Sequence, residues 1–151
     1  MQALPRRGLI IGKFYPPHKG HHYLIHTALK AVESLDVILT AWKAEEIPAT
    51  LRAQWLREIH PEITVHILDQ DAFDKTVAQA WADATLQLVG EAPHYIFSSE
   101  EYGSLYAELL KSTHIMVDKE RVTIPCSASD IRRDPKHYLH FLEPIVQTYF
   151  L

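Results

Sequence analysis

The run at residues 37–42 is apolar except for Thr40. Such a run is typical of a β-strand that other elements cover on both faces, as in a parallel sheet. Another strand is predicted upstream at residues 8–14, and a helix at residues 20–34 separates the two. The helix prediction rests on apolar residues that recur on one side, namely Leu24, Ile25, Ala28, Leu29 and Val32. A strand, a helix and a strand at this spacing favour a right-handed crossover between parallel strands.

Helical and extended patterns continue to alternate along the rest of the chain. Strands are predicted at residues 63–68, 95–97 and 115–117, with an extended edge segment at 122–124. Helices are predicted at residues 51–59, 73–89 and 102–110, then from Ser127 or Ser129, and finally over 135–149. This alternation predicts a Rossmann-like α/β fold, with a doubly wound parallel sheet of about five strands and helices on both faces. Because no repeat or linker interrupts residues 1–151, a single domain is expected.

Charge and composition exclude several classes of function. The net charge of −4 argues against broad binding of nucleic acid or membrane surfaces, so any anion site must be local. No segment approaches the roughly 20 apolar residues of a membrane span, and the N-terminus does not resemble a signal peptide. A soluble cytoplasmic protein is therefore expected. Cys126, which stands alone, is expected to be a small buried or cavity-lining residue rather than a nucleophile.

The segment that joins the first strand to the first helix is built to hold phosphate. It reads Gly-Lys-Phe-Tyr-Pro-Pro-His-Lys-Gly-His from Gly12 to His21. A helix start carries unpaired N–H groups and the positive end of the helix dipole, which together attract an anion. Gly20 allows close approach to the backbone, and His18 and His21 add side-chain donors. Turn chemistry with a solvated surface is the alternative interpretation of these prolines and histidines.

A second cluster of the same character lies late in the chain, from Ser127 to Arg133. It places small hydroxyl groups at a predicted helix start and guanidinium groups just after them, a combination suited to phosphate. Helix capping by the serines with solvated arginines is the alternative. Lys13, in the first segment, would add an ammonium group near the same phosphates or extend into solvent.

Both clusters resemble signatures of the nucleotidyltransferase superfamily. The first fits G-x-F-x-P-x-H-x-G-H at every fixed position, and the second fits S-x-T-x-I-R with Ser129 in place of threonine, which preserves the hydroxyl. The resemblance implies catalytic roles for His18, His21, Lys13 and Arg132. It implies nucleotide-binding roles for Gly12, Phe14, Tyr15, Gly20, Ser98, Ser99, Glu100, Ser127, Ser129, Ile131 and Arg133.

Further marks resemble one branch of that superfamily, the nicotinamide-mononucleotide adenylyltransferase domain of bacterial proteins that join it to a ribosylnicotinamide kinase. The marks are Lys13, residues 98–101, residues 117–121 and residues 131–135 followed by Tyr138. The resemblance implies transfer of AMP from ATP to nicotinamide mononucleotide with the assistance of Mg²⁺, giving NAD and pyrophosphate. No side-chain metal ligands are predicted, because phosphate oxygens and water commonly hold that ion.

Two residues are candidates for contact with the acceptor. Trp81 would stack on the nicotinamide ring or belong to the apolar core. Arg52 resembles an arginine of relatives that bind a mononucleotide, or lies on a solvated helix face. The residues Ser98, Ser99 and Glu100 would contact adenosine or the nicotinamide amide, or cap the next helix.

Other functions stay open at this point. The acceptor could be another phosphorylated molecule such as phosphopantetheine or glycerol phosphate, with ATP or CTP as donor, and a non-catalytic nucleotide sensor would keep the same pocket. The chain lacks the phosphate-loop motif of kinases, so a separate kinase partner is a further alternative, as is a homo-oligomer. The chain ends roughly where the kinase would begin, so it is either a stand-alone enzyme or a separated domain.

Overall fold

The computed structural model describes residues 6–74, 76–118 and 125–151. Within these ranges five strands form one parallel sheet in the order β3-β2-β1-β4-β5. They are β1 (Arg7–Gly12), β2 (Ser34–Ala41), β3 (Thr64–Asp69), β4 (Tyr95–Ser98) and β5 (Thr113–Met116). The extended segment predicted at residues 122–124 lies outside the described residues, as do positions 119–121 of the family resemblance.

Helices cover both faces of the sheet, which confirms the predicted doubly wound fold. On one face, α1 (Lys19–Leu29) and α2 (Ala49–Ile59) bury their apolar sides against β1 and β2. On the other face, α3 (Ala78–Val89) and α4 (Tyr102–Leu110) do the same. The short helices α5 (Ala128–Arg133) and α6 (Pro144–Gln147) pack against α2 in a smaller apolar cluster. The apolar run that first indicated a parallel strand forms most of β2 and is buried on both sides.

Three predicted helices have different bounds in the structure. Helix α1 ends at Leu29 instead of residue 34, because the N–H groups of Glu33 and Ser34 pair with the carbonyl of Arg6 at the start of the sheet. Helix α3 begins at Ala78 instead of residue 73, since residues 70–72 form a 3₁₀ turn and the carboxylate of Asp74 accepts from the N–H of Thr76. Such side-chain hydrogen bonds compete with helix formation.

The long helix predicted over residues 135–149 is broken in the structure. A 3₁₀ turn at Leu139–Phe141 precedes α6, and another at Thr148–Phe150 follows it. Pro144 explains the break, because proline lacks an N–H, fixes its own φ and disfavours helical backbone in the residue before it. Pro144 therefore occupies the first position of α6, while Glu143 before it is extended.

Strand order sets the location of the site. From β1 the chain moves outward through β2 to β3 and then returns to place β4 on the opposite side of β1. In sheets of this kind ligands bind beyond the carboxyl ends of the strands, where the order reverses. That point lies between β1 and β4, directly beside the segment that follows Gly12.

Candidate active site

A cavity of about 330 Å³ opens at the carboxyl ends of β1 and β4. The segment after β1, the start of α1, the loop after β4 and the start of α5 line most of it. The two sequence clusters therefore share one cavity wall: Sγ of Cys126 lies 3.3 Å from Nδ1 of His18, although the residues are 108 positions apart in sequence. The structure thus brings together what the sequence separates.

His18 and His21 form a reciprocal cap at the start of α1. Nδ1 of His18 accepts a hydrogen bond from the N–H of Gly20 at 3.0 Å, and Nδ1 of His21 accepts from the N–H of His18 at 3.1 Å. Two orphan donors of the helix start are satisfied in this way. Because each Nδ1 acts as an acceptor, each neutral ring carries its proton on Nε2. The rings stack with their centroids 3.7 Å apart, and both residues line the cavity.

Gly20 lines the cavity and also makes the His18 cap possible. A Cβ added at Gly20 would lie 2.8 Å from Cε1 and 2.9 Å from Nδ1 of His18. The absence of a side chain therefore makes room for the His18 ring to fold back over the helix start. The N–H of Gly20 itself donates to His18 within this cap.

The cationic side of the cavity contains Lys13 and Arg132. Both side chains are exposed and line the cavity. Nη1 of Arg132 donates to the carbonyl of Tyr15 at 2.6 Å, and its Cζ lies 4.6 Å from the centre of the Tyr15 ring. Arg132 thus reaches back across the cavity mouth from α5 to the segment after β1. An anion placed beside the histidines would also meet these two positive charges.

Two serines line the cavity at the start of α5. Ser127 is the N-cap residue and accepts from the N–H of Asp130 at 3.3 Å. The hydroxyl oxygens of Ser127 and Ser129 lie 3.4 Å apart. The serines therefore act as predicted for a cap while they also face the cavity, so the two interpretations of this cluster are compatible.

The opposite wall consists of Ser98, Ser99 and Glu100, which follow β4. The buried hydroxyl of Ser98 donates to the carbonyl of Glu100 at 2.8 Å and lies 2.6 Å from Nε2 of His114. Desolvation lowers the pKa of His114, which favours a neutral ring that donates from Nε2. Nδ1 of His114 then accepts from the hydroxyl of Ser104, 3.1 Å away. Ser98 thus holds the loop, and Ser99 and Glu100 lie at the cavity surface.

Arg52 does not line the cavity, contrary to the predicted acceptor contact. Its side chain has no exposed surface, and Nη2 pairs with Oε1 of Glu45 at 2.9 Å. Nε donates to the carbonyl of Ile47 at 3.0 Å and Nη1 to the carbonyl of Lys13 at 2.7 Å. The neighbouring carbonyls and Glu45 supply enough acceptors to keep the charge buried, so neither the solvated face nor the acceptor contact describes this arginine.

Three other predicted site residues also lie away from the cavity lining. Trp81 packs edge-on against Phe73, with ring centroids 5.1 Å apart, so the core alternative describes its surroundings. Ile131 is fully buried in the cluster beneath α5, where it secures the helix that carries Arg132. Arg133 is exposed and pairs with Asp130 at 2.8 Å, because the adjacent position on a helix points to another side.

Seven residues that line the cavity were not among the predicted site residues: Ile10, Ile11, Tyr23, Leu24, Asp118, Cys126 and Ala128. Cys126 was nevertheless expected to be buried or cavity-lining, and it is both. Cys126 directly precedes Ser127, so proximity to the second cluster was a usable signal. Asp118 follows β5 and belongs to the carboxyl edge of the sheet, a position that also marks binding residues in this fold. Tyr23 lies on α1 two positions after His21, and nothing in the pattern distinguished it from a solvated residue.

A metal site and a membrane-spanning helix each require particular features in the described part of the chain. Among its histidine, cysteine and acidic side chains, no group of three is arranged to hold a metal ion. None of the helices in these ranges combines the length and apolar composition that a bilayer crossing requires.

Comparison with known proteins finds similarity to a protein of NAD biosynthesis. No protein-family model matches the chain. The chain is 26% identical to the trifunctional NAD biosynthesis/regulator protein NadR of Salmonella typhimurium, in an alignment that covers 97% of the chain and 42% of the relative. The chain therefore spans about two-fifths of the length of that curated relative.

Solved structures show the same fold. A NadR protein in complex with NAD and AMP-PNP matches with a TM-score of 0.72 at 19% identity, over 93% of this chain and 45% of that one. A bifunctional NMN adenylyltransferase/ADP ribose pyrophosphatase from Francisella tularensis, complexed with AMP and a manganese ion, matches with a TM-score of 0.66 at 17% identity, over 93% of this chain and 43% of that one. The resemblance predicted from the two sequence clusters is therefore confirmed: the chain is similar to NadR along nearly its whole length and shares its fold with solved structures of NadR and of an NMN adenylyltransferase.

Proposed function

We propose that the cavity is the active site of a nicotinamide-nucleotide adenylyltransferase. The reaction transfers AMP from ATP to nicotinamide mononucleotide and releases NAD and pyrophosphate. The observation that carries the proposal is the convergence of His18 and His21 with Arg132 and Ser127 on one cavity, since the two motifs of a transfer site would not need to meet in a protein of another kind. The similarity to the NAD biosynthesis/regulator protein NadR, which extends along nearly the whole chain, supports an acceptor whose adenylylation gives NAD.

The geometry supports a direct displacement. An oxygen of the acceptor phosphate attacks the α-phosphorus of ATP, a new P–O bond forms, and the bond from that phosphorus to the bridging oxygen of the β-phosphate breaks. The electron pair leaves with pyrophosphate, and no covalent enzyme intermediate is required. The enzyme then contributes positioning and charge stabilisation.

The Nε2–H groups of His18 and His21 donate to the triphosphate as charge develops on it. Both rings are fixed through Nδ1, so their donors are oriented before the substrate arrives and no reorganisation is needed during reaction. Lys13 and Arg132 neutralise the departing pyrophosphate, with Ser127 and Ser129 as further donors. Ser99 and Glu100, on the opposite wall, bind the nucleoside part.

Among the described residues that line the cavity, Glu100 and Asp118 carry carboxylates, which would lie close to a magnesium ion held by phosphate oxygens and water. A bound Mg²⁺ would neutralise charge on the triphosphate. The cations and hydroxyls of the protein would position the same phosphates.

One assay tests the proposal. The protein is supplied with Mg²⁺ and either ATP or CTP, together with a panel of phosphorylated acceptors that includes nicotinamide mononucleotide, its deamidated form, phosphopantetheine and glycerol phosphate. Pyrophosphate release is followed and the product is identified by mass. Formation of NAD supports the proposal. Turnover only with another acceptor would reassign the substrate, and ATP binding without turnover on any acceptor would identify a nucleotide sensor.

A further inference from the structure

The ring of Tyr15 lies next to two guanidinium groups that come from distant parts of the chain. Cζ of Arg52 lies 5.0 Å from the centre of its ring, and Cζ of Arg132 lies 4.6 Å from it. A guanidinium within about 6 Å of a tyrosine ring is attracted to its electron-rich face. Arg52 is on α2 and Arg132 is on α5, so the tyrosine ring connects the two elements.

The Arg52 end of this arrangement is fixed. Arg52 is fully buried and is held by Glu45 and by the carbonyls of Lys13 and Ile47. The hydroxyl of Tyr15 accepts from the N–H of Glu46 at 2.7 Å. The ring is thus secured at its face by Arg52 and at its hydroxyl by the loop that precedes α2.

The side chain of Arg132 is held by fewer contacts than that of Arg52. The side chain is exposed, and its one hydrogen bond to a protein atom that the structure records goes to the main-chain carbonyl of Tyr15. An arginine carries a large rotamer entropy, which is lost when it binds an anion unless the side chain is already ordered. The Tyr15 ring and carbonyl order it in advance, and only one of its five N–H donors is used for that purpose.

We propose that Tyr15 is a positioning residue that acts through Arg132. It holds the guanidinium at the cavity mouth, where the remaining donors face an incoming polyphosphate, and the buried Arg52–Glu45 pair holds Tyr15. The inference rests on the proposed function, from which it takes the class of ligand, an oligophosphate. It gives Tyr15 a role that needs no direct contact with the nucleotide.

The test is a double-mutant cycle read by calorimetry with inorganic tripolyphosphate and, separately, with ATP. The variants are Tyr15→Leu, which removes the ring and keeps the carbonyl, Arg132→Ala, and the two combined. Tyr15→Leu is expected to weaken tripolyphosphate binding about two- to fivefold, the size of an exposed cation–π contact. In the Arg132→Ala background the same substitution is expected to change affinity less than about 1.7-fold, which is the lower end of the additivity error of such cycles. An equal loss in both backgrounds would overturn the proposal, because Tyr15 would then act independently of Arg132.

Tyr15→Phe is the matched control, since it keeps the aromatic ring next to both arginines and removes only the hydroxyl. It is expected to lose less affinity than Tyr15→Leu. In steady-state kinetics Tyr15→Leu should raise the KM for ATP and leave the KM for nicotinamide mononucleotide unchanged. General destabilisation of the fold would not produce such a difference between the two KM values. Thermal unfolding checks that each variant folds, and Tyr15→Met replaces Tyr15→Leu if the latter does not.

Failure of the proposed function is distinguishable from failure of this inference. If the wild-type protein binds neither tripolyphosphate nor ATP, the proposed function loses its support, and the position of Arg132 is then followed through the NMR signal of its Nε–Hε group. A shifted or broadened signal in Tyr15→Leu, with little change in Tyr15→Phe, would support the positioning role. A signal that is the same in all three proteins would overturn it.

Discussion

The imidazole of His18 lies directly over Gly20, close enough that an added Cβ would be 2.8 Å from its Cε1. The glycine and the histidine of this segment are therefore a matched pair: the ring can cap the helix only because the residue two positions later has no side chain. Gly20→Ala is expected to displace the ring and to lower kcat on the order of 100-fold, as a misplacement of about 1 Å can do. Circular dichroism should show a folded protein. Wild-type turnover in Gly20→Ala would show that the ring has room to shift without consequence.

His18 has two separable roles, and a pair of substitutions distinguishes them. His18→Ala removes both the donor and the cap, whereas His18→Asn keeps an oxygen that can accept from the helix start. Both variants are expected to lose at least about 100-fold in kcat, the usual effect of losing a transition-state donor. His18→Ala should also lose about 1 kcal/mol of unfolding free energy that His18→Asn retains. Chemical denaturation measures the difference, and an effect on kcat below about tenfold in both would remove His18 from the mechanism.

The buried pair of Arg52 and Glu45 predicts a large effect on stability. Arg52→Ala removes the charged partner of Glu45, whose carboxylate then keeps the N–H of Trp42 as a donor. It also takes the side-chain donor away from the carbonyls of Lys13 and Ile47. The free energy of unfolding is therefore expected to fall by about 3 to 5 kcal/mol. Arg57→Ala is the control, since this arginine is on the same helix, is exposed and donates to a carbonyl of β3. It is expected to cost about 1 kcal/mol or less. Equal losses in the two variants would show that the Arg52 network contributes no more than a surface contact.

Two buried histidines predict a loss of stability in acid. Nδ1 of His22 lies 2.8 Å from Nε2 of His60, and burial lowers the pKa of His22 to about 3 and that of His60 to about 4. Repulsion from His18 and His26 lowers the pKa of His22 further, whereas Glu62 raises that of His60.

The sign follows from proton binding in the two states. In the unfolded chain these histidines bind a proton below about pH 6.5, while in the folded protein they stay neutral until the pH is much lower. The free energy of unfolding should therefore be constant with respect to this pair above about pH 6.5 and should fall as the pH decreases toward 4. The double variant His22→Leu, His60→Leu should have a shallower slope in urea denaturation between these pH values, whereas the exposed His137→Gln should keep the wild-type slope. An unchanged slope in the double variant would contradict the assignment.

The role of the loop after β4 can be tested by changing the residues that hold it in place. A Cβ at Gly103 would collide with Nε2 of His114 and with the hydroxyl of Ser98. Gly103→Ala is therefore expected to break the hydrogen bonds that hold residues 98–100 and to raise the KM for ATP several-fold. Gly90→Ala is not a suitable comparison, because Gly90 has a positive φ. Ser104→Ala, which removes only the outer hydroxyl, should have the smaller effect on KM.

Much of the fold was predictable because its signals are local. The apolar run of β2 and the one-sided pattern of α1 depend on neighbours within one or two turns of chain, so both were located from the sequence to within a few residues. The prediction of the final helix was wrong because it followed an apolar pattern that continues through Pro144. The missing N–H and the steric effect of that one proline break the helix without changing the pattern. Most predicted residues of the two motifs line the cavity, whereas Ile131 and Arg133 do not, because adjacent positions on α5 point to different sides of the helix.

The sequence by itself determined the alternation of strands and helices, the two clusters suited to phosphate and the location of the first cluster at a strand end, since each follows from residue types a few positions apart. Only the tertiary structure decided that the clusters meet at one cavity, that Arg52 lies buried beside Tyr15 and that Trp81 packs against Phe73. These outcomes depend on partners far away in sequence, such as the 117 positions between Arg132 and the carbonyl of Tyr15. The environment of a long polar or aromatic side chain is set by the elements that pack around it, and no local pattern records which elements those will be.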